Sequence, residues 1–333
     1  MENKKTVAML GNGSWSTALV KIVSENKDIN INWWIRSPGD IPYFEKHGRN
    51  PRYLSSAKLD MERITMTGNL KEAVREADYV FVVIPSAFVC KVLSQLENDA
   101  LQGKKVVVSI KGMIPDKHCT VSEYICNEFG VSEADSAIVA GPCHAEEVAM
   151  ERLSFLTVAS ENMEFAKEFA EVIDCRYINT HISQDMNGVE YCAVMKNIFA
   201  VACGIAHGLN FGDNFQAVLV SNAAREIKRY LDKVFPLERQ MIDTAYLGDI
   251  LVTTYSQFSR NRTFGNMVGR GYSVKSAQME MEMIAEGYYA VKSIYESNKE
   301  FGVEMPITTA VYNILYEKIS PFVEFAILSE KLI

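Results

Sequence analysis

TVAMLGNGSWSTALV, Thr6 to Val20, reads as a strand, a tight turn and a helix. Val7, Ala8, Met9 and Leu10 make the short apolar run of a parallel strand buried on both faces. Gly11 and Gly13 then supply backbone freedom, and from Ala18 the apolar residues Ala18, Leu19, Ile22 and Val23 recur at helical spacing. In a dinucleotide-binding turn the first glycine makes the bend and the second lets the backbone approach a pyrophosphate. The helix N-terminus then offers unpaired N–H groups to that anion. Ser16 stands in the place of a third glycine and is also small. A glycine turn in some other α/β domain is the bland alternative, but the strand before and helix after favour a cofactor.

The chain of 333 residues has length for about two domains. With 48% hydrophobic and 23% charged residues it has the composition of an ordinary globular protein. A net charge of −8 argues against a nucleic-acid partner, which calls for a basic face. No signal-peptide core precedes the glycine turn, and the longest apolar stretch, Cys192 to Ala206, is interrupted by Lys196 and Asn197. That stretch is too short to span a bilayer, so no membrane span is expected. The seven cysteines include no C-x-x-C pair and read as reduced, mostly buried thiols of a cytoplasmic protein. The five histidines are scattered without an H-E-x-x-H pattern, so no metal site is expected.

Further strands are expected at Ile31 to Arg36, Tyr79 to Ile84, Val106 to Ile110, Ala137 to Ala140, Leu156 to Ala159 and Tyr177 to Asn179. Helices are expected at Leu70 to Ala77, Phe88 to Leu96 and Phe165 to Val172, and Pro42 to Asp60 reads as a polar, irregular connection. Ligands of a parallel sheet gather at the carboxyl ends of its strands. This places Pro85-Ser86, Lys111-Gly112 and Gly141-Pro142-Cys143-His144-Ala145 beside the cofactor. The second strand ends in Arg36-Ser37-Pro38, with no carboxylate until Asp40, which leans towards NADPH over NADH. Arg36 as an ordinary solvated charge is the alternative. From Gln184 onward helical patterns dominate, including Ala217 to Lys233, Ala277 to Asn298 and Val303 to Ile319. The expected organisation is an α/β Rossmann-like domain over 1–185 and an all-α domain over 186–333.

Within the helical half, Gly188 to Gly208 is small and apolar almost all round, yet carries Lys196 and Asn197 in its middle. A buried lysine is costly unless it is paired or faces a polar cleft. Burial lowers its pKa and a carboxylate raises it again, the tuning that a general acid/base requires. A lysine reaching along an apolar face to water is the alternative. Asp249 precedes an apolar run, and Ser259-Arg260-Asn261-Arg262 collects donors suited to a phosphate, unless these arginines lie on a solvated loop. Ile284-Ala285-Glu286-Gly287 adds an acidic residue that says little alone.

Six segments in order, GNGSWSTAL (11–19), SIKG (109–112), AGPCHAEEVA (140–149), GVEYCAVMKNIFAVACGIAHGL (188–209), GDILVTTYSQFSRNRTFG (248–265) and IAEG (284–287), carry a family likeness over nearly the whole chain. The sequence resembles NAD(P)-dependent glycerol-3-phosphate dehydrogenase of the bacterial type. The resemblance implies a Rossmann-like domain followed by an all-α domain, as in 6-phosphogluconate dehydrogenase-like folds. It also implies a homodimer and a role in supplying glycerol phosphate for phospholipid synthesis.

The resemblance assigns roles to single residues. Gly11, Gly13, Ser14, Trp15, Arg36, Ala145, Ile284 and Glu286 would bind the cofactor, with Lys111 and Arg260 shared between cofactor and substrate. Gly141, Cys143, Asn197, Asp249, Ser259 and Asn261 would meet a small phosphorylated substrate. Lys196 would give and take the proton, helped by Lys111 and Asp249. Two positions depart from the family pattern: Ser16 replaces a glycine, and Cys143-His144 replaces a Ser/Thr-Phe pair. Rival readings are a dehydrogenase of similar architecture acting on a 3-hydroxy acid or a sugar-acid phosphate, and a non-catalytic nucleotide sensor. The sensor has no use for a buried proton donor.

Overall fold

The computed structural model describes residues 4–281 and 285–333. The chain forms two compact units: one holds the chain up to Ile110 together with Val121–Met186, the other Lys111–Thr120 and Asn187–Ile333. The short excursion at Lys111–Thr120 lies within the span expected for the α/β domain, but it packs with the helices.

Among the described residues the first unit contains an eight-stranded sheet: β1 (Lys5–Leu10), β2 (Ile29–Trp34), β3 (Ile64–Thr67), β4 (Tyr79–Val82), β5 (Lys105–Val108), β6 (Ser136–Ala140), β7 (Ser154–Ala159) and β8 (Ile178–Ser183). Their order is β3-β2-β1-β4-β5-β6-β7-β8. The first six follow the doubly wound Rossmann order, with its switch point between β1 and β4. Helices α1 (Ser14–Glu25), α2 (Ile41–His47), α3 (Leu70–Arg75), α4 (Val89–Leu93), α5 (Val121–Phe129), α6 (Ala145–Ala149) and α7 (Met163–Ile173) belong to this unit. Val7, Met9, Trp33, Phe81, Val107 and Phe169 are fully buried in its core. The sheet is parallel except that β7 runs antiparallel to β6. The link between those strands, residues 141–153, carries only the five-residue α6.

Several expectations shift. β2 starts and stops two residues early, because its ladder with β1 runs from Lys5–Ile29 to Leu10–Trp34 and ends where β1 meets the glycine turn. Arg36 therefore lies beyond the strand. The connection at 42–60 is not wholly irregular: α2 has Pro42 in its first turn and is capped after His47 by Gly48, whose φ of +60° closes it in the left-handed conformation. Strand β3 and helix α5 are additions to the elements expected from the sequence, although α5 carries Val121, Tyr124, Ile125 and Phe129 at helical spacing. Cys143, Cys192 and Cys203 are buried, whereas Cys90, Cys119, Cys126 and Cys175 are only half-buried, against the expectation that most would be enclosed.

The second unit is helical: α8 (Met186–Gly208), α9 (Gly212–Val234), α10 (Asp249–Tyr255), α11 (Arg260–Gly269), α12 (Val274–Glu280), α13 (Glu286–Phe301), α14 (Pro306–Leu315) and α15 (Pro321–Ser329). The single helix expected over Ala277 to Asn298 is two, α12 and α13. The last long run starts at Pro306, because proline opens a helix more readily than it sits inside one. Helix α8 is 23 residues long and, by length and composition, apolar enough to cross a membrane, which corrects the expectation that this stretch is too short. Its most apolar window is entirely buried inside the protein, the condition of a core helix.

Paired glycines explain why α8 is small-faced. A Cβ on Gly204 would lie 2.1 Å from Arg262 O, and one on Gly265 would lie 2.1 Å from Val201 O. For Gly208 and Gly269, one turn further along α8 and α11, a Cβ would lie 2.6 Å from Asn266 O and 2.4 Å from Ile205 O. The two helices therefore cross backbone to backbone. This brings the start of α11, where Arg260 and Asn261 lie, against the part of α8 that carries Asn197.

Candidate active site

In the first unit the glycine turn is built by its neighbours. Gly11 has φ +124°, and a Cβ there would lie 2.3 Å from Val83 O at the end of β4. Its carbonyl accepts hydrogen bonds from Ser16 Oγ (2.5 Å) and Trp33 Nε1 (2.6 Å). Ser16 therefore does more than fit the third-glycine position: it ties the helix back onto the bend. Asn50, which sequence reasoning missed, is fully buried and donates to Asn12 O (3.0 Å) and Thr17 Oγ1 (2.7 Å). No local pattern marks it, since it is a single amide in a polar connection.

Gly13 differs from Gly11. It caps α1 without any side-chain hydrogen bond, and a Cβ on it would meet nothing within 4 Å. The helix N-terminus is thus open on the side where Ser14 and Trp15 are half-buried. Open space beside uncapped N–H groups suits a pyrophosphate, so the residues present fit a dinucleotide. Trp15 Nε1 donates to Ser109 Oγ (2.9 Å), which donates to Val139 O (2.6 Å), tying the turn to the ends of β5 and β6. Beyond β6, Gly141 has φ +145° and no room for a Cβ, which would lie 2.6 Å from Phe155 O. Cys143 is buried and Ala145 opens α6. Beyond β2, Arg36 is exposed, and Asp40 is held by Arg52 through contacts of 2.6 and 3.0 Å. The Arg52 hydrogen bond and charge, with a contribution from Arg36, hold the Asp40 carboxyl below its ordinary pKa.

In the second unit Lys196 lies at the middle of α8 and Asp249 is the first residue of α10, after a π-helical turn at Thr244–Gly248. Lys196 Nζ and Asp249 Oδ1 form an ion pair with the side chains 1% and 0% exposed. Burial pushes the Lys196 amine down to about 8; Asp249 opposes that shift and the nearby Lys111 charge adds to it. The amine is enclosed, so the alternative of a lysine reaching along an apolar face to water does not hold. Asn197, the next residue, donates to Lys111 O (2.6 Å) and accepts from Asn261 Nδ2 (2.9 Å). Ser259 caps α11 by accepting from Arg262 N (3.3 Å), and Arg260, the first residue of that helix, is exposed. A cation at a helix N-terminus is unfavourable alone, and an anion placed there relieves it. Glu286 is the first residue of α13. Ile284, assigned to the cofactor from sequence, lies outside the described residues. Among the described residues no group of three or more His, Cys, Asp or Glu side chains is placed to hold a metal ion.

The candidate residues thus divide between the two units. Gly11, Gly13, Ser14, Trp15, Arg36, Gly141, Cys143 and Ala145 belong to the first unit, while Lys111, Lys196, Asn197, Asp249, Ser259, Arg260, Asn261 and Glu286 belong to the second.

Comparison with known proteins shows the family. The family model for the N-terminus of NAD-dependent glycerol-3-phosphate dehydrogenase matches residues 6–166, and that for the C-terminus matches 185–324. Proteins named glycerol-3-phosphate dehydrogenase NAD(P)+ from an Exiguobacterium strain and from Streptococcus suis are each 34% identical over 316 residues. These alignments cover 95% and 94% of this chain and 92% and 93% of the relatives. The crystal structure of glycerol-3-phosphate dehydrogenase from Coxiella burnetii superposes with a TM-score of 0.90 at 28% identity, covering 98% of this chain and 99% of that one. A structure of D-mandelate dehydrogenase with NADH shares the fold more distantly, with a TM-score of 0.60 at 14% identity over 95% of this chain and 98% of that one. With both family models matched in order and relatives aligned along almost the full length, the chain is an oxidoreductase that belongs to the NAD-dependent glycerol-3-phosphate dehydrogenase family.

Proposed function

We propose that this enzyme interconverts dihydroxyacetone phosphate and sn-glycerol 3-phosphate, with Lys196 as the proton donor and acceptor. The observation that carries the reading is the enclosed Lys196–Asp249 pair. The bound nicotinamide supplies the hydride to the carbonyl carbon. An ammonium whose pKa is lowered to about 8 is still mostly charged at neutral pH, yet releases its proton more readily than an exposed lysine. Lys196 polarises the carbonyl oxygen and hands over the proton as the alcohol forms. Asp249 keeps the amine charged and oriented, and Lys111 steadies the developing negative charge. Arg260, at the open start of α11 with Ser259, grips the phosphate, so that binding energy from the remote group orients the carbonyl.

Gly11, Gly13, Ser14 and Trp15 hold the pyrophosphate of the cofactor. The preference is for NADPH: Arg36 stands exposed beyond β2, and the next carboxylate along the chain, Asp40, is already engaged by Arg52. The usual ribose ligand for NADH is an acidic side chain left free near the end of this strand, a description that Asp40 does not meet. We further propose a cytoplasmic homodimer that supplies glycerol phosphate for phospholipid synthesis, a role that rests on the family alone.

The test is direct. Purified protein mixed with dihydroxyacetone phosphate and NADPH or NADH should consume the reduced cofactor, followed by its absorbance, with the lower KM for NADPH. Absence of oxidation with both cofactors would overturn the reading of the reaction, and a lower KM for NADH would overturn the preference.

A further inference from the structure

The link between β6 and β7, residues 141–153, carries two kinds of candidate residue within five positions: Gly141 and Cys143 for the substrate, Ala145 for the cofactor. On that reading the link serves the end of the cofactor from which the hydride leaves. Its helix α6 has five residues. An isolated helix needs roughly 12–15 residues to hold in water, so α6 takes its position from what it is tied to.

Two ties are present, both within the first unit. Helix α6 packs against α1. Directly after α6, Glu151 is held between cations from two other segments. Lys21 Nζ on α1 lies 2.7 Å from Glu151 Oε1, and Arg176, in the turn before β8, pairs with Glu151 Oε2. The Lys21 side chain is only 9% exposed, and a charge enclosed that far is costly unless it is paired. Both cations lie by the ring of Tyr177, with Lys21 Nζ 5.7 Å and Arg176 Cζ 5.3 Å from its centroid. Hydrogen bonds from Lys21 and then Arg176 hold the Glu151 carboxyl below its ordinary pKa, so it stays charged at neutral pH. Glu151 also has φ +57°, a left-handed conformation that a side chain disfavours. Its N–H donates to Val148 O (2.9 Å) and Arg152 N–H donates to Glu147 O (3.0 Å). The residue that ends α6 is thus the one that carries a carboxylate to α1.

We propose that Glu151 is a positioning residue: with Lys21 and Arg176 it forms an ionic clamp that fixes the 141–153 link on α1 and so sets where the nicotinamide lies against the substrate. The inference rests on the proposed reading of Gly141, Cys143 and Ala145. Helix α1 starts with Ser14 at the turn proposed to hold the pyrophosphate, and Lys21 lies about two turns further along it. The clamp therefore joins the helix assigned to one end of the cofactor to the link assigned to the other.

The experiment uses the full chain with Glu151→Asn, Lys21→Met and the double variant. Asn tolerates the left-handed conformation but carries no charge, and Met keeps the apolar stem of Lys21. In each single variant kcat for dihydroxyacetone phosphate should fall about 10-fold or more, the loss expected from a misplaced reacting group, while the Kd for NADPH changes less than about threefold. The double variant should be no worse than the worse single one, because both break the same tie. With NADPH deuterated at the transferred position, the isotope effect on kcat should be no smaller than in the unaltered chain. Hydrogen exchange of peptides covering 141–153 should quicken while α3 exchanges as before, and the emission lifetime of bound NADPH should change. A lower melting temperature with kcat and exchange over 141–153 unchanged would make the clamp merely structural and overturn the proposal. A smaller isotope effect would place the loss outside hydride transfer and overturn it too. Should the unaltered chain fail to reduce dihydroxyacetone phosphate, the proposed reaction falls, and exchange with the NADPH lifetime decides the clamp. If Lys21→Met does not fold, Glu151→Asn is read alone in the same measurements.

Discussion

Lys196 and Asp249 face each other inside the helical unit with both side chains buried, and among the described residues the second oxygen of Asp249 accepts no hydrogen bond. A pair kept for stability would have its remaining lone pairs met, because the cost of burying two charges is offset only by full hydrogen bonding. On the reading proposed above, the pair serves proton transfer by Lys196. Lys196→Ala should accordingly lower kcat by about 10²–10⁴, the worth of a positioned acid, measured by cofactor oxidation at saturating substrate.

Asp249→Asn probes the same pair through pH. Reduction needs the charged amine, so kcat/KM should fall as pH rises through about 8. Asp249 raises the Lys196 pKa, so its removal should bring that limb to lower pH, and the reverse reaction, which needs the neutral amine, should gain at the same pH. The variant should also lose about 3–5 kcal/mol of stability, the cost of leaving one buried charge alone. A limb that stays in place would separate the titration from Lys196.

The two glycines of the cofactor turn should respond differently to the same substitution. Gly11→Ala forces a Cβ towards Val83 O at a φ that side chains rarely adopt, so the protein should melt well below the unaltered chain. Gly13→Ala meets no atom and should cost at most about 1 kcal/mol, as a poorer helix cap. Its added methyl nevertheless occupies the space proposed for the pyrophosphate. Thermal unfolding and NADPH fluorescence titration together should give an intact protein that binds the cofactor at least about 10-fold more weakly, a loss of about 1.4 kcal/mol.

Arg260→Ala should reveal what the exposed guanidinium serves. With dihydroxyacetone phosphate kcat/KM should fall by about 10² or more, since hydrogen bonds between charged groups contribute about 1.5–3 kcal/mol each. With unphosphorylated dihydroxyacetone the loss should be small. Equal losses on both substrates would remove Arg260 from the phosphate.

The strands whose side chains are buried on both faces were legible because their sequence says so without context: VAML, YVFV and SAIVA all appear as strands near the expected limits. The motif-bearing residues were legible for a related reason, since a lysine in a greasy helix and a glycine after a strand are locally anomalous. What could not be read depends on partners distant in sequence. Asn50 is one amide in a polar loop until Asn12 and Thr17 are placed beside it. The glycines of α11 look like helix breakers until α8 is laid across them. Ser259 and Asn261 read as donors to an anion, yet part of their bonding capacity goes to capping α11 and to joining helices.

Glu226 offers a pH test away from the candidate site. It is fully buried on α9, where its carboxylate accepts from Ile307 N (2.8 Å), Thr308 N (2.9 Å) and Thr308 Oγ1 (2.6 Å), closing the N-terminus of α14. Burial pushes its pKa up to about 7, against the pull of those hydrogen bonds and of the Arg229 charge. The folded chain therefore holds this proton more tightly than the unfolded chain, in which an ordinary glutamate titrates near about 4.3. Stability from this group is full below that lower value and is lost as pH rises towards 7, by about 3 kcal/mol in all. Glu226→Gln cannot titrate, so its denaturation midpoint should lack this part of the decline between about pH 4.5 and 7. It should be less stable throughout, because one amide oxygen cannot serve all three donors and the amide NH2 opposes one of them. Parallel pH–stability curves for the two proteins, measured by urea unfolding, would mean that Glu226 keeps an ordinary pKa in the folded chain.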